Sequence, residues 1–173
     1  MTRGRAATAL AALGLVALAT AACAGDAPRP APAAGPFPDA ACALLTDRAG
    51  LAAFLARLPP PAAEAVRARL ADGVLPAAVV FLGTAPTAGY RVEIRSVRVR
   101  PGGTVEITVH HEAPPPDALV AQVLTYPVAV RPVPARRLPE GLREVRFLTV
   151  DGRLLARARP DGTARPRPLS PPP

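Results

Sequence analysis

His110-His111-Glu112 is the one cluster in this chain whose side-chain types could hold a metal ion. On an extended strand, His110 and His111 point to opposite faces and cannot easily share one ion, whereas His110 and Glu112 could. No third ligand follows from the spacing, so the cluster is expected to be an exposed strand end. Nucleophilic chemistry has little to build from. The only serines are Ser96 and Ser170, and Ser170 lies close to the C-terminus. Cys42 would need a histidine beside it to act as a nucleophile. Glu140 and Glu144 are four apart, but nothing marks them as an acid/base pair. There is no Gly-rich phosphate loop at a strand-to-helix junction. The expectation is a protein without catalytic residues, metal, cofactor or small-molecule substrate.

The composition points the same way. Of 173 residues, half are apolar, 3% are aromatic and 24 are proline; Trp is absent. So much apolar content excludes a wholly disordered chain. Two cysteines exclude a disulfide-dense scaffold and a four-cysteine zinc site. The scarcity of aromatics argues against a stacking-based nucleic-acid binder. The formal charge is +8, from 21 arginines and no lysine against 13 acids. Arg3 and Arg5 begin the chain. At its end Arg153, Arg157, Arg159, Arg165 and Arg167 face only Asp161. The charge is therefore expected at the ends and not on a folded face.

The N-terminus has the order of an export signal. Arg3 and Arg5 precede an apolar run from Ala6 to Ala19, then small residues Thr20-Ala21-Ala22, then Cys23. These are the n-region, h-region and cleavage site of a secretory signal. The run is shorter than the roughly 20 residues that a spanning helix needs. A cysteine directly after the small residues resembles the bacterial lipobox, in which that Cys is lipidated; Thr20 stands where the lipobox usually has Leu. The expected order is a lipoprotein signal peptide at 1–22, lipid on Cys23, and a proline-rich tether at 23–43. Cleavage near Ala22 or Ala24 is the alternative. Cys42 is a free thiol if Cys23 carries lipid, and the two could pair in an oxidising compartment if it does not.

The folded part is expected over 44–158. Thr46 is a candidate N-cap, followed by Leu51, Phe54, Leu55 and Leu58 at helical spacing. Pro59-Pro60-Pro61 ends that helix and Pro61 can start the next, over 62–71 with Val66 and Leu70 four apart. From Ala77 the apolar period becomes two. Strands are expected over 78–82, from Tyr90 to Val99, from Val105 to Val109, over 119–126, over 128–133, and over 145–150 and 153–158 around the hairpin signal Asp151-Gly152. A change of parity near Arg95-Ser96 suggests a bulge. The fold class is mainly β (α+β): two short N-terminal helices, then an antiparallel β-sandwich or partly closed barrel-like domain. Residues 159–173 carry Arg and Pro and read as a disordered tail.

Two stretches of these strands and loops carry a family likeness. The first is Val79-Val80-Phe81-Leu82-Gly83-Thr84-Ala85-Pro86-Thr87-Ala88-Gly89-Tyr90-Arg91-Val92-Glu93-Ile94. The second is Ala113-Pro114-Pro115-Pro116 followed by Val120-Ala121-Gln122-Val123-Leu124-Thr125-Tyr126-Pro127 and Val133-Pro134, with Val145-Arg146-Phe147 beyond it. In this order the blocks resemble the PrcB C-terminal domain family. Ala88 stands where the family often has Gly, and the Asp-Phe pair common before its first strand is absent. The resemblance implies an exported bacterial protein, often a lipoprotein, that binds or stabilises another protein, such as a protease, and performs no catalysis. Gly83, Pro86, Thr87, Ala88, Gly89 and Tyr90 form the candidate partner-binding loop, which a structural turn would explain equally. Gln122, Thr125, Tyr126 and Pro127 form a structural motif whose Tyr-Pro bond could be cis. Ala85 to Tyr90 also resembles part of a loop of chagasin-like cysteine-protease inhibitors, although the Trp of that family is missing. The function expected is that of a lipoprotein anchored by Cys23 in the bacterial cell envelope, facing the periplasm or exterior, with a protein partner and no nucleic acid. The alternatives are a chagasin-like inhibitor and a structural envelope lipoprotein without a specific partner.

Overall fold

The computed structural model describes residues 37–70 and 73–167. All of them fall within the compact unit Ala31–Pro173. The expected signal peptide, Cys23 and most of the tether lie outside the described residues.

Seven strands form two sheets. The first sheet contains β1 (Ala41–Leu45), β2 (Ala77–Phe81) and β5 (Val128–Pro132), in the order β1-β2-β5 and antiparallel throughout. Every residue of β1 and β2 is buried. Side chains alternate across a strand, so a strand buried throughout needs cover on both faces. Here the alternation divides two cores. Ala41, Ala43, Leu45, Ala77, Val79 and Phe81 face the helices. Cys42, Leu44, Ala78 and Val80 face the second sheet. This explains why β1 and β2 read as unbroken apolar runs. Full burial of a Phe or Leu side chain contributes roughly 1.5–3 kcal/mol, and Phe54, Phe81, Leu44 and Leu45 are all fully enclosed.

The helices lie between β1 and β2 in the chain. α1 spans Arg48–Leu55 and α2 spans Pro60–Arg69. The expected spacing holds: Leu51, Phe54, Leu55 and Leu58, with Val66 and Leu70, pack on the first sheet. The cap of α1 is Asp47, whose carboxylate accepts from Gly50 N at 2.7 Å, and not Thr46. Thr46 instead donates to Asp161. α2 begins one residue before the expected Pro61, at Pro60, where a missing N–H leaves no helical bond unmade.

The second sheet has the order β3-β4-β6-β7, from β3 (Arg91–Arg100), β4 (Thr104–Glu112), β6 (Glu144–Thr149) and β7 (Leu154–Ala158). The pairing of β3 with β4 shifts between Ile94 and Ser96, the bulge that the change of parity suggests. Ile94, Val105, Ile107, Val109, Val145 and Phe147 face inward. The molecule is thus three layers: helices, three strands, four strands.

Four expectations need correction. A strand, β1, precedes the helices; its short Ala-rich run follows the prolines and lacks the β-branched residues that signal a strand. The expected boundary at 43/44 falls inside it. The sheets are not wholly antiparallel, because β4 and β6 run parallel, and they form two separate open sheets and no barrel among the described residues. The chain leaves β4, crosses to the other sheet as β5 and returns, which parallel neighbours require. Residues 119–126 are not a strand; their one β-type pairing is an isolated bridge between Thr125 and Ala85. Finally, residues 159–167 are ordered. Ala164 exchanges backbone hydrogen bonds with Cys42, Asp161 N donates to Leu44 O at 3.1 Å, and Arg167 N donates to Leu155 O at 2.8 Å. This segment ties β1 to β7 through backbone groups, which apolar patterning does not register.

Candidate protein-interaction site

Two loops meet at one end of the sheets: Gly83–Tyr90, joining β2 to β3, and residues 113–127, joining β4 to β5. The first is folded tightly at both ends. Gly83 has φ +99°, and a Cβ there would lie 2.6 Å from Phe37 Cβ and 2.7 Å from Asp39 Oδ1, so only glycine fits. Asp39 then holds the next residue twice, accepting from Thr84 N at 2.8 Å and from Thr84 Oγ1 at 2.6 Å. At the far end Gly89 has φ +95° and faces Pro114, whose Cβ would be 2.9 Å from an added methyl group.

The second loop is bonded to the first along its length. Ala85 and Thr125 exchange backbone hydrogen bonds of 2.9 Å, Thr125 Oγ1 donates to Thr87 O at 2.9 Å, and Ala88 N donates to Ala121 O at 3.0 Å. Leu82 N donates to Pro127 O. The two sequence blocks that carry the candidate residues are therefore one unit in space. Pro86 is exposed at its tip, Thr87 and Ala88 are half-buried, and Gly89 is exposed.

Tyr90 is 7% exposed and packs with Leu82 and Ala85. Its ring meets Phe37 edge-on, with centroids 5.1 Å apart, a favoured aromatic geometry. Its hydroxyl is buried with no hydrogen-bond partner, and burial pushes its pKa up. Tyr90 thus belongs to the loop's interior. Tyr126 and Pro127 are half-buried, with Tyr126 packed on the helix-side core. The cis peptide found among the described residues is Leu75–Pro76, not Tyr126–Pro127. Gln122 is exposed and donates only to Val120 O, at 3.4 Å.

Residues that sequence patterning passed over complete the site. Phe37 and Asp39, in the expected tether, form its floor; the only aromatic and the last acid among those prolines were the available signal. Leu119 is fully exposed, Leu124 is 63% exposed and Val123 is 53% exposed, all on the second loop. Read as a strand, that loop gave no sign that its apolar side chains face water. Three large aliphatic side chains on a bonded loop pair offer no acid/base chemistry. They offer apolar surface on a rigid support.

The groups considered for metal or nucleophilic chemistry lie elsewhere. His110 sits beside Arg95, with Nδ1 3.5 Å from Nη2. Burial, then the charge of His110, hold His111 below its usual pKa, against a smaller opposing effect of Asp151. Cys42 is buried, with its pKa pushed up by that burial. Among the described residues no three His, Cys, Asp or Glu side chains gather as a metal site would require.

Comparison with known families places these loops. No curated protein and no solved structure matches the chain. The family model described as PrcB C-terminal matches residues 77–134, from the start of β2 to just past the end of β5, with both loops inside the match. Over these residues the chain is similar to the PrcB C-terminal family, and they carry a PrcB-like domain.

Proposed function

We propose that this protein is a non-catalytic binding module of the bacterial cell envelope, anchored through lipid on Cys23, that holds and stabilises a partner such as an exported protease. The observation that carries the reading is the exposure of Leu119, Val123 and Leu124 on the second loop, which is hydrogen-bonded to the first. Solvent-facing side chains of this size, held by a rigid scaffold, are what a protein partner buries on association. The export signal and the similarity of residues 77–134 to the PrcB C-terminal family support it. The inhibitor reading has less support. It needs Ala85–Tyr90 free to insert into a cleft, and that loop is bonded to residues 121–125 along its length.

The test is crosslinking in intact cells followed by purification and mass spectrometry. Wild type is compared with Cys23→Ala and with Leu119→Asp/Leu124→Asp. The expected result is one protease or protease-associated protein, captured by wild type, lost with the loop variant and reduced without the anchor. That partner should also turn over faster in cells carrying the loop variant. Capture that is indifferent to the loop variant would refute the role of this site.

A further inference from the structure

β3 is the outermost strand of the four-stranded sheet and β5 is the outermost strand of the three-stranded sheet. The two run side by side without pairing, and neither open edge has a strand partner among the described residues. One side chain crosses between them. Arg131 Nη1 donates to Ile94 O at 2.9 Å and to Arg95 O at 3.1 Å. These two carbonyls, at the bulge of β3, face into the seam.

Three hollows of about 450, 360 and 220 Å³ open along it. Val92, Ile94, Val128 and Val130 supply apolar lining. Around them stand Arg69, Arg91, Arg95, Arg98, Arg131 and Arg137. The only acids are Glu93 and Glu112, and Glu93 is paired with Arg95 at 3.2 Å. Six guanidinium groups against two carboxylates leave the seam four charges positive. The basic charge of this chain is therefore not confined to its ends, as the sequence suggests. Residues distant in sequence gather it on a folded face.

Charged side chains blunt a strand edge against indiscriminate pairing. A single sign of charge also selects what can pair, because an incoming strand must neutralise it. We infer that the β3–β5 seam is a docking groove for an extended acidic segment of a partner protein. The segment pairs its backbone with the open edge of β3, flanking Arg131. Its apolar side chains cover Val92 and Val128 and its carboxylates meet the arginines. Main-chain bonds supply affinity in such strand addition and side-chain pockets supply specificity. Arginine suits the task, since its planar fork binds a carboxylate through two parallel hydrogen bonds. This inference does not depend on the loop residues around Leu119.

The test is fluorescence anisotropy with the full chain in detergent and two labelled octapeptides, one alternating valine with glutamate and one alternating valine with lysine. The glutamate peptide is expected to bind, more weakly as salt rises, and the lysine peptide is not. Arg69, Arg91 and Arg98 are exposed, so Arg69→Glu/Arg91→Glu/Arg98→Glu should keep its thermal melt and weaken the glutamate peptide by at least about tenfold. N-methylation of alternate amides in that peptide should weaken it by a similar factor, through loss of strand pairing, with no change to the protein. Leu119→Asp should bind it as wild type does. The inference is overturned if the glutamate peptide fails to bind, if both peptides bind equally, or if N-methylation or charge reversal has no effect. Loss of binding in Leu119→Asp would place the peptide on the loops and overturn it as well.

Discussion

Tyr90 offers the sharpest test of how the loop pair is held. Its ring is enclosed by Phe37, Leu82 and Ala85, and its hydroxyl is buried without a partner. A buried hydroxyl that has left water and found no acceptor costs about 1–3 kcal/mol. Tyr90→Phe removes that cost and leaves the edge-on ring contact in place. The expected change is a gain of about 1 kcal/mol, which for a domain of this size raises the melting temperature by about 3–5 °C. Tyr90→Ala removes the ring as well. Emptying a buried aromatic site costs about 3–5 kcal/mol, a large share of the roughly 5–15 kcal/mol that a folded domain possesses. Its melt should fall by more than about 10 °C. A pH series adds an independent check. Burial raises the phenol pKa above its ordinary value of 10.0. Above that pH the unfolded chain releases its proton first, so stability falls as pH rises, and Tyr90→Phe should remove this part of the fall. Thermal and urea melts followed by circular dichroism measure all three effects. A loss of about 1 kcal/mol or more in Tyr90→Phe would mean that the hydroxyl makes a favourable bond, and the account of Tyr90 as an apolar anchor would be wrong.

Asp161 holds the C-terminal segment against α1 by accepting from Thr46 N at 2.5 Å and from the Thr46 hydroxyl, and it does so at φ +55°, which Asp and Asn tolerate better than Ala. Asp161→Ala should cost about 2–3 kcal/mol in a urea melt and Asp161→Asn less. Gly50→Ala should act at the same junction, because its new methyl group would lie 2.7 Å from Asp161 Oδ1 and 2.9 Å from Asp161 Cβ; a melt equal to that of wild type would show that the segment yields freely. In a Cys23→Ser background Cys42 is the one remaining thiol, and its burial and raised pKa should keep it unlabelled by a thiol reagent until urea unfolds the domain. His111 has a folded-state pKa below its usual 6.5, so as pH falls through 6.5 the unfolded chain takes the proton first and stability is lost. His111→Gln should flatten the melting temperature between pH 7 and pH 5, and an unchanged slope would refute the assignment.

The parts of the fold that could be read in advance share a physical character. α1 and α2 have one buried face each, so Leu51, Phe54, Leu55, Val66 and Leu70 repeat at helical spacing. β4 and β6 have one face in the core and one outside, so Val105, Ile107 and Val109 alternate, as do Val145 and Phe147. Even the bulge near Ser96 was visible, because a bulge changes parity. What could not be read depends on partners distant in the chain. β1 is buried on both faces and lacks alternation. Residues 119–126 have apolar side chains that the fold leaves in water, and period and propensity register residue type without direction. The clasp at 159–167 rests on backbone hydrogen bonds and Asp161. The arginines of the seam come from α2, β3, β5 and the short 3₁₀ turn Ala135–Arg137, so no window of sequence contains them.

The extent of the family match says something about how the molecule is assembled. Residues 77–134 contain β2 to β5 and both loops. They thus include the pair β2–β5 from one sheet, the pair β3–β4 from the other, the exposed loop residues and both edges of the seam. Taken alone, this segment leaves the β1 side of β2 and the β6 side of β4 without hydrogen-bond partners, and it leaves Val79 and Phe81 without the helices that cover them. Open edges and an uncovered apolar face are what a soluble domain must avoid. The remaining elements close those gaps: β1 pairs with β2, α1 and α2 cover the outer face, β6 pairs with β4, and residues 159–167 join β1 to β7. Both candidate interaction surfaces lie within the matched segment, apart from Arg69 and the 3₁₀ turn. The elements outside it mostly complete pairing and burial. A partner that reads the loops and the seam would therefore read the matched segment, while the stability of that segment depends on residues outside the match.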